Sequence, residues 1–403
     1  MKYDGAVAWL YSTQLHGIRL GLDTVRRLNE AFGISTSGPK ILHVAGTNGK
    51  GSVCAMLDAI CRAAGRRTGL FTSPHLVTFR ERIRVDGQMM PEEAVAADLS
   101  EMRELTATWD FEPTFFELTT VLALRHFQRS ACEVVVLETG MGGRLDATNV
   151  VTPTVSIITP IALDHQQWLG TTIAAIAAEK AGIVKPNVPT VSAPQADEVA
   201  AVLRRHAEEV GAQTLDFVER PWAGGAVNLV GSHQRWHAEL AVRALALSGL
   251  GIHDDAIARG LRDVQWPGRF QRLSEKLVLD GAHNAAAAFL LVETWREVFR
   301  DERATLVLGI LADKDVRTIC AALLPIAARV ILVPVRSPRT LAPEDVRAVV
   351  RELSPDLPCT AAPDLTAGLA LAAGHAERVL VCGSLFLVGE ALARDGRAEA
   401  SAQ

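Results

Sequence analysis

Short apolar runs rich in Val, Ile and Leu alternate along this 403-residue chain with longer stretches whose apolar residues recur every third or fourth position. Runs over residues 41–45, 68–72, 133–138, 154–158 and 188–192 read as strands buried on both faces. The helical period predicts helices through 25–28, from 51, from 91, and over 119–129, 171–181 and 196–210. A second series, with strands at 277–279, 305–308, 330–333 and 379–381, follows the break Trp266-Pro267-Gly268-Arg269-Phe270. Strands alternating with helices imply mostly parallel sheets covered by helices, and the length exceeds one ordinary core. Two α/β domains are therefore expected, over residues 1–265 and a smaller Rossmann-like unit over 266–403. The polar, small-residue tail 397–403 should fray.

The first strand runs into Gly46-Thr47-Asn48-Gly49-Lys50-Gly51-Ser52 and then a helix. Glycines there let backbone N–H groups converge on anionic oxygens, the helix turns its positive end toward them, and Lys50 adds a full charge. Ser52 is a candidate magnesium ligand. The spacing departs from the usual P-loop pattern, because Gly51 separates Lys50 from Ser52 and Gly46 stands close to the lysine. The alternative is a glycine turn between strand and helix with a surface lysine.

Further candidates fall where ligands of open α/β sheets gather, at the carboxyl ends of strands. Glu138 ends the apolar run at 134–137 and precedes a glycine loop, so it suits a hard cation or is a solvated strand-end acid. His165 follows the strand at 155–158 and is read as a ligand or as a hydrogen-bonded structural histidine. Lys180 ends an alanine-rich helix, where capping the helix dipole is the simpler role. Asp280 and Asn284, after the first strand of the second series, are candidate helix caps, and Arg269 is a phosphate contact or a surface arginine.

Charge narrows the partners. The formal net charge of -5 argues against a general nucleic-acid binder, so anionic small molecules must be held by local groups. The six cysteines are scattered without a zinc-type cluster, which reads as reduced thiols in a cytoplasmic protein. No apolar run is long enough to cross a bilayer, and the N-terminus lacks a signal-peptide core.

Taken together, these segments resemble the folylpolyglutamate synthase / dihydrofolate synthase branch of the Mur ligase superfamily. The resemblance covers nearly the whole chain: residues 9–12 and 17–22, the loop 46–52, Thr72-Ser73-Pro74-His75-Leu76 with Glu81-Arg82-Ile83, residues 138–149, Leu163-Asp164-His165 with Trp168-Leu169-Gly170, residues 179–183 and 266–270, Asp280-Gly281-Ala282-His283-Asn284, residues 311–315 and Gly383-Ser384-Leu385. It implies an ATP-dependent amide ligase in which Thr47, Asn48, Gly49, Lys50, Gly51 and Ser52 hold the ATP phosphates. It further implies that Ser73 and Glu138 bind one magnesium ion, that His165 binds a second, and that Lys180 is carbamylated by carbon dioxide near the metal site. Arg269 and Asp280 match ATP contacts, while Thr114, Phe115, Phe116, Glu117, Leu145, Asp146 and Ala147 match the pterin-side pocket. One departure stands out: His237 occupies the place of an asparagine that contacts the nucleotide, and imidazole offers different hydrogen bonds from an amide.

The implied reaction is phosphoryl transfer from ATP to a folate carboxylate, followed by attack of the glutamate amine. His283 is a candidate amine base on general grounds. Dihydropteroate, folates and L-glutamate are the implied substrates, acting on a monomer with no nucleic-acid or membrane partner. Two alternatives are a synthase restricted to polyglutamates and a nucleotide-binding regulatory protein without ligase activity. The retention of Ser73, Glu138, His165, Lys180 and Asp280 argues against the second.

Overall fold

In the computed structural model the described residues are 1–16 and 21–394; residues 17–20 of the matched segment 17–22, and the tail 397–403, lie outside them. The chain forms two compact units. One comprises residues 1–74, 79–228 and 235–264; the other comprises 75–78, 229–234 and 265–403.

The first unit is built on an eight-stranded sheet: β1 (Lys40–Ala45), β2 (Thr68–Phe71), β3 (Ile83–Val85), β4 (Gln88–Met89), β5 (Val134–Glu138), β6 (Val155–Ile158), β7 (Pro189–Ser192) and β8 (Thr214–Phe217). Their order is β4-β3-β2-β5-β1-β6-β7-β8, parallel except for the β3–β4 hairpin at one edge. β1 lies between β5 and β6, with Val44 opposite Glu138 and Ala45 opposite Ile158, so three strand ends meet where the phosphate loop begins. β5 is buried throughout, as its unbroken apolar run requires.

The helix Lys50–Ala63 is buried along residues 51–61. It packs against the helix Asp254–Asp263 so closely that a Cβ on Gly260 would lie 2.5 Å from the Ile60 Cα. The helix Phe115–Arg129 starts earlier than the periodicity predicted. Thr114 caps it and Glu117 closes a reciprocal capping box, so the two polar residues extend the helix N-terminally.

The second unit has six strands: β9 (Gln271–Arg272), β10 (Leu277–Leu279), β11 (Ala304–Leu308), β12 (Ala327–Leu332), β13 (Cys359–Ala361) and β14 (Arg378–Cys382). The order is β13-β12-β11-β14-β10-β9, parallel apart from β9. Phe270, Trp295 and Phe299 form an aromatic cluster in its core, with Trp295 fully buried and its indole N–H donated to the Glu302 carbonyl at 2.7 Å.

The sequence expectations contain neither the β3–β4 hairpin nor the strands β8, β9 and β13. The β3–β4 hairpin turns at Asp86-Gly87, both with positive φ, while β8, β9 and β13 are short strands at or beside sheet edges. Among the described residues no helix is long and apolar enough to cross a membrane. All six cysteines are free thiols, and only Cys359 is not fully buried.

Candidate functional site

The loop 46–52 takes its shape from two glycines. Gly46 (φ +150°) lies against Thr159, whose Oγ1 would stand 1.8 Å from an added Cβ. Gly49 (φ +88°) caps the helix Lys50–Ala63 in the left-handed region, and the buried His237 ring abuts it, its Nε2 2.4 Å from where a Cβ would sit. His237, the residue that departs from the family pattern, thus backs the loop directly.

Lys50 folds over the loop, its Nζ donating to the carbonyls of Gly46 and Thr47 at 3.2 Å each. Lys180 reaches the same Gly46 carbonyl from the helix Ile173–Ala181, at 2.8 Å, and is 4% exposed. It is therefore no exposed cap on a helix dipole. Burial, reinforced by the Lys50 charge and opposed by Asp164 and Asp146, lowers its pKa from 10.5 to about 7. A large fraction of Lys180 is then the neutral, nucleophilic amine near pH 7.

Thr47 is engaged differently. Its hydroxyl donates to the Ala162 carbonyl and accepts from the Ala162 N–H, both at 3.0 Å. The N–H groups of Thr47 and Asn48 both donate to the Pro160 carbonyl, at 3.0 and 3.2 Å. The segment so held leads to Asp164 and His165. His165 is exposed, sits in the left-handed region (φ +51°), and opens the short helix Gln166–Leu169.

Glu138, 4% exposed at the end of β5, accepts the Ser73 N–H at 3.1 Å. Arg82, itself buried, feels the Glu138 charge, although burial still lowers its pKa to about 10. Its guanidinium lies 5.2 Å from the centre of the Phe115 ring, which stacks on Tyr11. Arg82 had no role in the sequence reading, yet it feels the Glu138 charge and lies over the Phe115 ring. The matched Glu81-Arg82-Ile83 contained it, but nothing in the sequence marks that arginine as buried.

The Phe116 ring covers Gly140, its Cζ 2.4 Å from an added Cβ. Thr114 and Glu117 bond each other, and Asp146 accepts N–H groups of Met141 and Thr148 and the Thr148 hydroxyl. His43 extends that buried network through Thr148, and burial lowers its pKa to about 3. The polar members of the expected pterin-side set therefore shape the surrounding loops. Phe116 and the half-buried Leu145 supply the apolar surface, while Ala147 is buried. The 140–149 loop lies flat on the helix carrying Lys180: a Cβ on Gly143 would meet the Glu179 and Lys180 carbonyls at 2.8 and 2.9 Å, and one on Gly182 would meet the Arg144 Cα at 2.4 Å.

In the second unit both Asp280 oxygens are taken, one by the Phe270 N–H and one by the Ala282 N–H, each at 2.8 Å. Burial raises the Asp280 carboxyl pKa, and Arg269 opposes the shift. Phe270 has φ +43°, so Asp280 pins the turn that carries Arg269, whose Nη1 lies against Gly281. Asn284 caps the helix Ala285–Phe299 through the Ala287 N–H. His283 Nδ1 lies 2.8 Å from the Gly281 carbonyl; a carbonyl only accepts, so Nδ1 carries the proton and Nε2 is the basic nitrogen.

Among the described residues no three His, Cys, Asp or Glu side chains gather into a preformed metal cage. The buried Glu138 carboxylate beside Ser73 still fits magnesium, which is commonly held by one or two carboxylates with substrate phosphates completing its shell. Ser73 and Glu138 are brought together, as are Lys50 and Lys180; His165 lies exposed on the loop that follows Ala162, whose main chain bonds Thr47.

A glycine-rich loop with a lysine beside a strand-end carboxylate, followed by a second, mostly parallel α/β unit, is the architecture of an ATP-dependent Mur-type ligase. Residues 44–225 match the Mur ligase middle domain and 268–385 the Mur ligase glutamate ligase domain. The chain is 38% identical over 352 residues to dihydrofolate synthase/folylpolyglutamate synthase of Escherichia coli, covering 82% of each, and 33% identical to the Bacillus subtilis enzyme of that name, covering 96% of this chain and 98% of the other. The E. coli FolC structure with DHPP and ADP superposes with a TM-score of 0.88 at 32% identity, covering 97% of this chain and 98% of that one. A Yersinia pestis bifunctional folylpolyglutamate synthase/dihydrofolate synthase with AMPPNP and a Mn ion gives 0.87 at 33% identity, covering 98% of both. The chain belongs to the dihydrofolate synthase/folylpolyglutamate synthase family of Mur ligases.

Proposed function

We propose that this cytoplasmic enzyme ligates L-glutamate to dihydropteroate and to reduced folates, using ATP to activate the acceptor carboxylate as an acyl phosphate. The observation that carries the reading is the convergence of Lys50 and Lys180 on the Gly46 carbonyl, next to the β5 edge bearing Glu138. When phosphates arrive, Lys50 exchanges two loop carbonyls for anionic oxygens, and the first-turn amides of the helix Lys50–Ala63, which have no acceptor within the helix, point the same way. Each such electrostatic contact is commonly worth ~3 kcal/mol in the barrier. Two magnesium ions, held by Ser73 and Glu138 and by His165 near Lys180, would supply charge neutralisation for the transferring group.

Lys180 as the free amine adds to carbon dioxide, forming an N–C bond and releasing one proton, which leaves an anionic carbamate beside the metal site. Its lowered pKa supports that step. Arg269 and the turn pinned by Asp280 serve the nucleotide, His237 backs the loop, and His283 Nε2 accepts the proton of the attacking glutamate amine. Phe115, Phe116 and Leu145 flank the flat heterocycle, with Thr114, Glu117, Asp146 and Ala147 holding the walls. Every residue of the scheme comes from one chain, as a monomeric enzyme requires.

Glutamate-dependent phosphate release tests the reading, measured with dihydropteroate and separately with tetrahydrofolate, each substrate omitted in turn. Release with both supports the bifunctional assignment. Release with the folate alone leaves a polyglutamate synthase, and release with neither, while ATP still binds, removes the folate assignment. Lys50→Ala should abolish turnover and weaken nucleotide binding less.

A further inference from the structure

We infer that Thr47 is a positioning residue that sets the phosphate loop and the loop bearing His165 in one register, rather than a phosphate contact. The inference rests on the ligase reading and deepens it. A threonine in a glycine loop is ordinarily read as a hydroxyl offered to phosphate or metal. Here the hydroxyl's single proton, the one a phosphate oxygen would need, is donated to the Ala162 carbonyl, and one of its lone pairs accepts the Ala162 N–H, both at 3.0 Å. One hydroxyl can make both bonds only from a fixed rotamer, and a β-branched side chain is stiff about that torsion.

The backbone repeats the connection. Thr47 N–H and Asn48 N–H share the Pro160 carbonyl, so these two amides are directed at the neighbouring loop and the cradle is left to the amides from Gly49 onward. Four hydrogen bonds thus join residues 47–48 to residues 160–162, and His165 follows three residues later. The Gly46 carbonyl, held by both Lys50 and Lys180, belongs to the same peptide group as the Thr47 N–H. Nucleotide phosphates on one side and the His165 loop on the other therefore share a single brace, and only the Thr47 hydroxyl in it depends on side-chain identity.

The test compares parent, Thr47→Val and Thr47→Ser. Binding of a non-hydrolysable ATP analogue is measured by calorimetry in EDTA, and Mn2+ binding to the analogue complex is measured by electron paramagnetic resonance. Thr47→Val keeps the shape and loses both hydroxyl bonds. It should weaken Mn2+ binding roughly tenfold, the equivalent of about 1.4 kcal/mol, and change metal-free analogue affinity less than about twofold. Thr47→Ser should behave as the parent in both. Equal weakening of metal-free analogue binding would make Thr47 a phosphate contact, and no change in either would make the brace dispensable; both overturn the inference. Should Thr47→Val melt below the assay temperature, Thr47→Ser decides, because loss of Mn2+ affinity with the hydroxyl present contradicts the brace. Ligation by the parent in the same preparation separates failure of this inference from failure of the ligase reading.

Discussion

Replacing Gly49 by alanine tests how tightly His237 backs the phosphate loop. Two costs add. Alanine at φ +88° is strained by about 1–2 kcal/mol, as any L-residue is in left-handed backbone. Its methyl would also stand 2.4 Å from His237 Nε2 and 2.7 Å from Cε1, an overpacking that costs about 1–3 kcal/mol even after the ring shifts. Gly49→Ala should therefore destabilise by roughly 2–5 kcal/mol. In a His237→Ala background the clash is gone and only the backbone strain of about 1–2 kcal/mol remains. The double-mutant cycle removes the cost of truncating His237 itself and should leave a coupling of about 1–3 kcal/mol. Equilibrium urea unfolding of the four proteins gives the cycle. If Gly49→Ala costs the same with and without the imidazole, His237 does not press on the loop and the reasoning fails.

Three other outcomes are expected. With a folded pKa of about 7 against 10.5 for Lys180 in the open chain, the unfolded state binds more protons between those values, so stability rises with pH across that window and the burial penalty is carried in full below it. In carbon-dioxide-free buffer the parent should gain about 2 kcal/mol over Lys180→Met between pH 7 and pH 9, and parallel unfolding curves would refute the shift. Phe116→Ala should raise KM for dihydropteroate at least about tenfold and leave binding of an ATP analogue nearly unchanged, since the ring covers Gly140 rather than the phosphate loop. Gly260→Ala should lower Tm, because overpacking against the Ile60 backbone, about 1–3 kcal/mol, outweighs the ~1 kcal/mol gained in helix propensity; an unchanged or higher Tm contradicts the close approach.

The central strands were legible because residues such as Val134, Val135, Val136 and Leu137 are buried on both faces and carry no competing pattern. The edge strands were not. β8 (Thr214-Leu215-Asp216-Phe217) alternates over only four residues and is only partly buried, and β13 is three residues long, so neither pattern is long enough to stand out. Asp86-Gly87 was a readable turn signal for the β3–β4 hairpin that went unused. In the site, Lys50 and Glu138 were legible from side-chain chemistry at strand and helix ends, whereas Lys180 read as a helix cap and gained a site role only through the family resemblance. Pro160 and Ala162 were not legible, since they act through main-chain groups that every sequence possesses. Thr114-Phe115-Phe116-Glu117 shows the opposite case: the spacing of a helix capping box was present, and its polar pair was assigned to the substrate pocket first.

The contact between the 140–149 loop and the helix Ile173–Ala181 has a consequence for how such an enzyme can diversify. Alanine at 143 would run into two carbonyl oxygens, and alanine at 182 into the Arg144 backbone. No rotamer change relieves either collision, because the obstructing atoms are main chain. The spacing between Leu145 and Lys180 is thereby set by peptide against peptide, as on a ruler without adjustable marks. If Leu145 and Phe116 line the acceptor pocket as proposed, new acceptor preferences can arise by exchanging those side chains, while the distance from Leu145 to Lys180 is inherited unchanged.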